Sequence, residues 1–269
     1  MLYLDYAAST PMRAEAVDAM LPFLRESFAN PSGSHAAARS AKTALEEARE
    51  QVASALGADS SEVIFTGGGT ESDHLAVEGA ARAARAAGVG DGVVVGAFEH
   101  KAVLAAADRF EAEGFRVSRI GATSAGVIDL DSLARALDAN TVLVSVMMVN
   151  NEIGTIQPLD QVERSITEHA PKARLHTDAV QAVPWIDVAG AGAGADLISI
   201  SAHKFGGPKG VGALIARRGV ALEPLIEGGG QESGWRAGTV NVAGVVAMAT
   251  ALTITVNNRA AEVAAVGAL

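Results

Sequence analysis

The chain has 269 residues, of which 49% are apolar but only 4% aromatic. It can bury one large core, and that core must be built from Ala, Val, Leu and Ile, which suits helices on a buried sheet better than a β-sandwich. Against 31 acidic residues stand 21 basic ones, a formal charge of −10 without any Lys/Arg run, which argues against nucleic acid and anionic membrane as partners; the absence of cysteine removes disulfides, thiolate metal sites and thiol nucleophiles from these residues.

The segment "MLYLDYAASTP" carries Asp5 and no basic stretch, so it predicts no secretory signal, and a cytoplasmic address follows. A helical pattern over 37–57 ends at Gly57. Residues 62–67 read as a strand that passes through "GGGT" into a helix over 71–88. Next come a strand at 92–97, a helix over 100–114, a strand at 115–121 and the longest apolar run, 141–149, which is too short to span a bilayer. Further strands are predicted at 173–179, 196–202 and 212–217, with the Gly/Ala-rich stretch 187–197 as a connection. The tail 257–269 begins a helical pattern and stops. Most strands are continuous apolar runs, the mark of a sheet covered on both faces. Their alternation with helices predicts a largely parallel sheet with ligands at the carboxyl ends of its strands.

Several stretches place reactive side chains at those ends. In "FTGGGTESDHLAV", Thr70 is expected to cap the helix with Asp73 three residues on, and the glycines form either a phosphate cradle or an ordinary connection. "LHTDAVQAV" sets Asp178 just past a strand with Gln181 one helical step later; Asp178 can pair with a cation or serve as a cap. His176 and Asp178 have no third metal ligand at a sensible spacing, so no metal is expected. His100 at a strand–helix junction reads, alone, as a cap or a surface residue, and Asn151 as a turn residue or a polar contact. Lys204, in "ISISAHKFGGPKG", either snorkels to water or is kept desolvated to form a Schiff base with a carbonyl, with Ser201 and His203 beside it for an anion. Together, a phosphate cradle, an acid for a pyridinium nitrogen, a histidine and a lysine are the parts of a pyridoxal phosphate site.

The motifs "YLDYAASTP", "NPSGSH", "FTGGGTESD", "EHKAVL", "VNNEIGT", "HTDAVQA", "SAHKFGGPKGVGAL" and "GGGQESGWRAGT", in this order from residue 3 to about residue 250, resemble the cysteine desulfurases of the class V aminotransferase group. The resemblance implies an α/β, fold-type I pyridoxal phosphate-dependent transferase domain with a mainly parallel seven-stranded sheet sandwiched by helices, working as a homodimer on L-cysteine. It implies a first segment of a small domain at 1–13, a large cofactor-binding domain at 14–255 and the start of a connecting helix at 256–269. By the same resemblance Lys204 would carry pyridoxal 5'-phosphate, Asp178 would pair with its ring nitrogen and Gln181 with its ring hydroxyl. His100 would stack on the ring and carry protons. Gly69, Thr70, Ser201 and His203 would hold the phosphate, and Thr239 would reach the phosphate of a partner subunit. Asn151 would sit near the ring hydroxyl and the substrate carboxylate. Position 74 is His where the family usually has Asn, and a helix-surface site is expected for it. The family's sulfur-carrying cysteine and its substrate-carboxylate arginine belong to a C-terminal part that these residues do not match. The resemblance implies L-cysteine desulfuration that feeds iron-sulfur cluster or thio-cofactor assembly, with a sulfur-acceptor or scaffold protein as partner; selenocysteine cleavage, β-elimination or an inactive binding remnant are the other readings.

Overall fold

Apolar runs bounded by glycine and polar turns form the strands, and Ala-rich segments between them form the helices. The computed structural model describes residues 2–268. In chain order the elements are α1 (Ala14–Arg25), α2 (Ala36–Ala55), β1 (Val63–Thr66), α3 (Gly69–His74), α4 (Ala80–Ala86), β2 (Gly92–Gly96), α5 (Lys101–Ala112), β3 (Arg116–Ile120), α6 (Leu130–Ala136), β4 (Thr141–Ser145), α7 (Leu159–His169), β5 (Arg174–Asp178), α8 (Val188–Ala191), β6 (Leu197–Ser201), β7 (Gly212–Ala216) and α9 (Val242–Gly267).

The seven strands lie in the order β1-β7-β6-β5-β4-β2-β3. Only β7 runs against the others; it pairs antiparallel with β1 and β6, and every other pairing is parallel. Strands β2, β4 and β6 are buried along their whole length, as continuous apolar runs require. Successive side chains feed opposite layers. Val94, Val144 and Ile198 join Val52 of α2, Val162 of α7 and Met248 of α9. Val93, Leu143 and Leu197 join Ala81 of α4 and Phe110 of α5 on the other side. The result is helices, sheet, helices.

The predicted strands match in position, but the run 141–149 is a strand only to Ser145; the buried continuation ends in a bridge from Val149 to Ile156. The predicted helix 71–88 starts earlier, at Gly69, and a π-turn over Leu75–Gly79 joins α3 to α4. Helices α1, α6 and α7 and most of α9 stand outside the predicted set. Pro22 lies inside α1, near its end, and conceals it from a reading that treats proline as a stop. The Gly/Ala-rich connection contains the short α8. The expected boundary at 255/256 falls within α9, which runs unbroken to Gly267 and packs against α1 and α2. Among the described residues no helix is long and apolar enough to cross a membrane. Along the edge formed by the carboxyl ends of the central parallel strands, β5 ends on Asp178 and β6 on Ser201, where ligands are expected in such a sheet.

Candidate active site

At that edge a cavity of about 870 Å³ collects nine of the residues singled out in the sequence: Gly69, Thr70, His100, Asn151, Asp178, Gln181, Ser201, His203 and Lys204. Thr239 is not among its lining; it borders a smaller cavity with Arg236 and Asn241.

The loop expected to hold an anion grows out of β1. Gly68, at φ 142°, turns the chain into the helix, and a Cβ on Gly69 would stand 2.9 Å from Val180 Cγ2 and 3.3 Å from Ser201 Cβ. Glycine here lets backbone N–H groups face the cavity at the opening of a helix that continues through the π-turn into α4. Glu71 fixes the loop: its Oε2 accepts from Gly67 N–H at 2.8 Å, and its Oε1 from Arg236 Nε at 2.8 Å. The expected Thr70 cap does not form. Gly68 takes the cap position without a side-chain bond, so Thr70 falls inside the first turn and lines the cavity. Ser201 Oγ and His203 Nδ1 are bonded at 2.9 Å. Burial, then Lys204 and Lys209, hold the His203 imidazole below its usual pKa.

His74 also lines the cavity, which corrects the expected surface site. Its Nδ1 lies 2.6 Å from Glu78 Oε1, and Glu78 is buried and also paired with Arg82 and Arg109. Burial would raise the Glu78 carboxyl, but His74, Arg109 and Arg82 outweigh it and keep it ionised.

Asp178 is buried, and its Oδ1 accepts from Val180 N–H at 2.8 Å. His100 is indeed the α5 cap: its Nδ1 accepts from Ala102 N–H at 3.2 Å, which puts the ring proton of the neutral imidazole on Nε2. One ligand atom each of Asp73, His100 and Asp178 lie within 4.8 Å of one another. Beneath them His176 bonds Ser145 Oγ at 2.9 Å and Ser199 Oγ at 3.0 Å, and burial drives its pKa down to about 3, so it is a neutral part of the core. Burial pushes Asp73 and Glu99 well above the usual carboxylate range, and Asp178 upward as well, against the pull of Val180 N–H, His100 and Lys204.

Lys204 closes a 3-10 turn, Ala202–Lys204, directly after β6. Burial lowers its pKa, with Asp178 and Asp5 acting against it. Its Nζ donates to Ala7 O at 2.5 Å, and Gln181 Nε2 donates to the same oxygen at 2.6 Å. The N-terminal segment is held across the cavity by Thr10, whose N–H and Oγ1 both donate to His203 O at 2.9 Å and whose Oγ1 accepts from Gly206 N–H at 2.8 Å. That Ala7 would be an acceptor is not legible from residue types, because a backbone carbonyl carries none. Asp73 was legible only as half of a capping box with Thr70, and Glu71, the residue directly after Thr70, was missed.

The family described as Aminotransferase class-V matches residues 2–267. Cysteine desulfurase IscS of Dictyoglomus turgidum is 48% identical over 255 residues, 95% of this chain and 64% of that protein. The IscS of Methanosarcina thermophila is 42% identical over 250 residues, 93% of this chain and 61% of that one. The chain thus spans less than two thirds of the length of these relatives. Among solved structures, a NifS-like protein superposes with a TM-score of 0.93 at 38% identity, covering 97% of this chain and 71% of that chain. The structure described as SspA in complex with cysteine gives 0.87 at 37% identity, covering 94% and 72%.

Pyridoxal 5'-phosphate, the cofactor of these homologues, fits the residues present. The cavity offers an amine of lowered pKa, a buried carboxylate suited to a protonated ring nitrogen, and a glycine cradle that any Cβ at position 69 would obstruct. On the match over residues 2–267, the fold and the cofactor site, this chain belongs to the aminotransferase class-V family, and its cofactor is pyridoxal 5'-phosphate.

Proposed function

We propose that these residues form the cofactor-binding portion of a cysteine desulfurase, which takes L-cysteine to L-alanine and passes the sulfur to a thiol. The observation that carries this reading is the meeting of Lys204, Asp178 and His100 in one cavity with the Gly67–Thr70 loop. Bound there, pyridoxal 5'-phosphate supplies an aldehyde for the substrate amine and an electron sink for charge developing at the α-carbon.

The chain's own groups do the rest. Lys204 Nζ, of lowered pKa, is the base within reach of the substrate α-proton. Asp178 would pair with a protonated ring nitrogen, and His100 Nε2–H would offer a proton on the cavity side. Gln181 and Asn151 orient the ring oxygen and the substrate carboxylate. Ser201, His203, Thr70 and the loop N–H groups hold the phosphate. Residues 1–269 contain no cysteine, so the thiol that receives sulfur comes from outside them. The homodimer, the sulfur acceptor and the address in the cytoplasm belong to the same proposal.

Purified protein loaded with pyridoxal 5'-phosphate and given L-cysteine with an added thiol acceptor is expected to release alanine and to load sulfur on the acceptor. Pyruvate with sulfide would favour β-elimination instead, and neither product would favour a binding remnant. Lys204→Ala is expected to lose the visible absorbance of the covalently held cofactor and turnover together; an unchanged spectrum would defeat the assignment.

A further inference from the structure

We propose that Asp73 is a positioning residue that acts as a neutral carboxylic acid beneath Asp178, donating a hydrogen bond that keeps Asp178 the single charged carboxylate of the site. The inference rests on the reading above only in taking Asp178 as the partner of the ring nitrogen.

The geometry leaves few other arrangements. Asp73 sits on α3, 1% exposed, and its Oδ1 has no hydrogen-bond partner. An ionised carboxylate in that state would be an uncompensated buried charge, whereas a protonated one is merely polar. The nearest cationic candidate, His176 Nε2, is 3.7 Å away. That imidazole already uses both nitrogens on Ser145 and Ser199 and stays neutral, so it neither pairs with Asp73 nor needs its proton. From the neighbouring elements three further titratable groups face the pair: Glu99, buried with Oε2 unpartnered; His100 at the start of α5; and Lys204 after β6. Three buried carboxyl groups cannot all be charged with only the Lys204 amine and the Nε2–H of a neutral His100 to balance them. Asp178 is the one toward which both the Lys204 amine and His100 pull, so it holds the charge, while burial first, then Asp178 and Glu99, keep the proton on Asp73 against the pull of the Ser199 hydroxyl. Carboxyl oxygens of Asp73 and Asp178 lie within 4.8 Å of each other without a hydrogen bond between them, so the proposed bond forms when one side chain turns toward the other.

Two variants and two readouts test this. Asn keeps shape and a donor without charge, so in Asp73→Asn the pH midpoint of the bound cofactor's absorbance is expected to stay within about 0.5 pH unit of wild type. Asp73→Ala removes the donor, weakens the charge on Asp178, and is expected to lower that midpoint by about 1 pH unit or more. If both variants lower it, Asp73 carries a charge and the proposal fails; if neither does, Asp73 does not act on Asp178 and it fails as well. Infrared spectra of cofactor-free protein at neutral pH give the second readout. A protonated-carboxyl band present in wild type and lost in Asp73→Asn supports the neutral acid, and an identical spectrum overturns it. Should Asp73→Ala not fold, the Asn midpoint and the infrared difference still decide. Wild-type protein that takes up no pyridoxal phosphate counts against the proposed function and leaves the infrared result standing.

Discussion

Glu99 shows how the site trades stability for chemistry. Its Oε1 accepts from Met147 N–H at 2.6 Å, its Oε2 has no partner, and burial, with Asp178 nearby, holds its pKa well above the usual carboxylate range against the pull of that N–H. A folded-state pKa above the unfolded one means that the folded chain binds more protons, so stability is full below about pH 4.5 and falls as pH rises toward the folded value. Each pH unit in that window costs about 1.4 kcal/mol. Glu99→Gln keeps the acceptor and removes the proton. Its urea midpoint is therefore expected to match wild type near pH 4 and exceed it at pH 7; a gap that does not change with pH would show that Glu99 is ionised in the fold. Lys204, Asp178 and His100 were legible because each stands where an apolar run stops, at a strand end. Ala7 was not, since its contribution is a main-chain oxygen, and the place of Asp73 depended on Gly68 at φ 142° starting the helix one residue before Thr70 could cap it.

Between β1 and α3 a whole loop lines the cavity and is proposed to hold the phosphate. Gly69→Ala would bring a methyl to 2.9 Å from Val180 Cγ2 and 3.3 Å from Ser201 Cβ, so one of them must move. Overpacking of this kind costs about 1–3 kcal/mol. Cofactor affinity is expected to fall by roughly tenfold or more, equivalent to about 1.4 kcal/mol, as measured by titration of pyridoxal 5'-phosphate; unchanged affinity would mean that the loop does not form the phosphate cradle. Strands were the most readable elements, because burial on both faces leaves uninterrupted Val, Ile and Leu. Helices with mixed faces were less so. Helix α7 buries only Leu159, Val162 and Ile166, a stripe too thin to stand out from the sequence, and Pro22 masked α1.

Across the whole molecule, the parallel order of the sheet follows from strand–helix alternation, but the reversal of β7 does not, because a hairpin-like return from β6 through "FGGPKG" has the same composition as a crossover turn. Leu2, Leu4 and Phe28 are 82%, 78% and 77% exposed, an apolar surface of the kind that second copies or partners cover. With Thr239 outside its own chain's large cavity, the proposed contact to phosphate needs a second copy. Sedimentation is expected to give twice 27.3 kDa, and Thr239→Val to weaken cofactor binding in that dimer. A monomer that binds the cofactor equally well with and without the Thr239 hydroxyl would contradict the arrangement.

The central claim is that Lys204, and no other amine, holds the cofactor aldehyde. Lys209 lines the same cavity and is the natural competitor. Borohydride reduction of the loaded protein, followed by peptide mass analysis, is the direct measurement. The account predicts one pyridoxyl label, on the peptide carrying Lys204; a label on Lys209, or none at all, would contradict it.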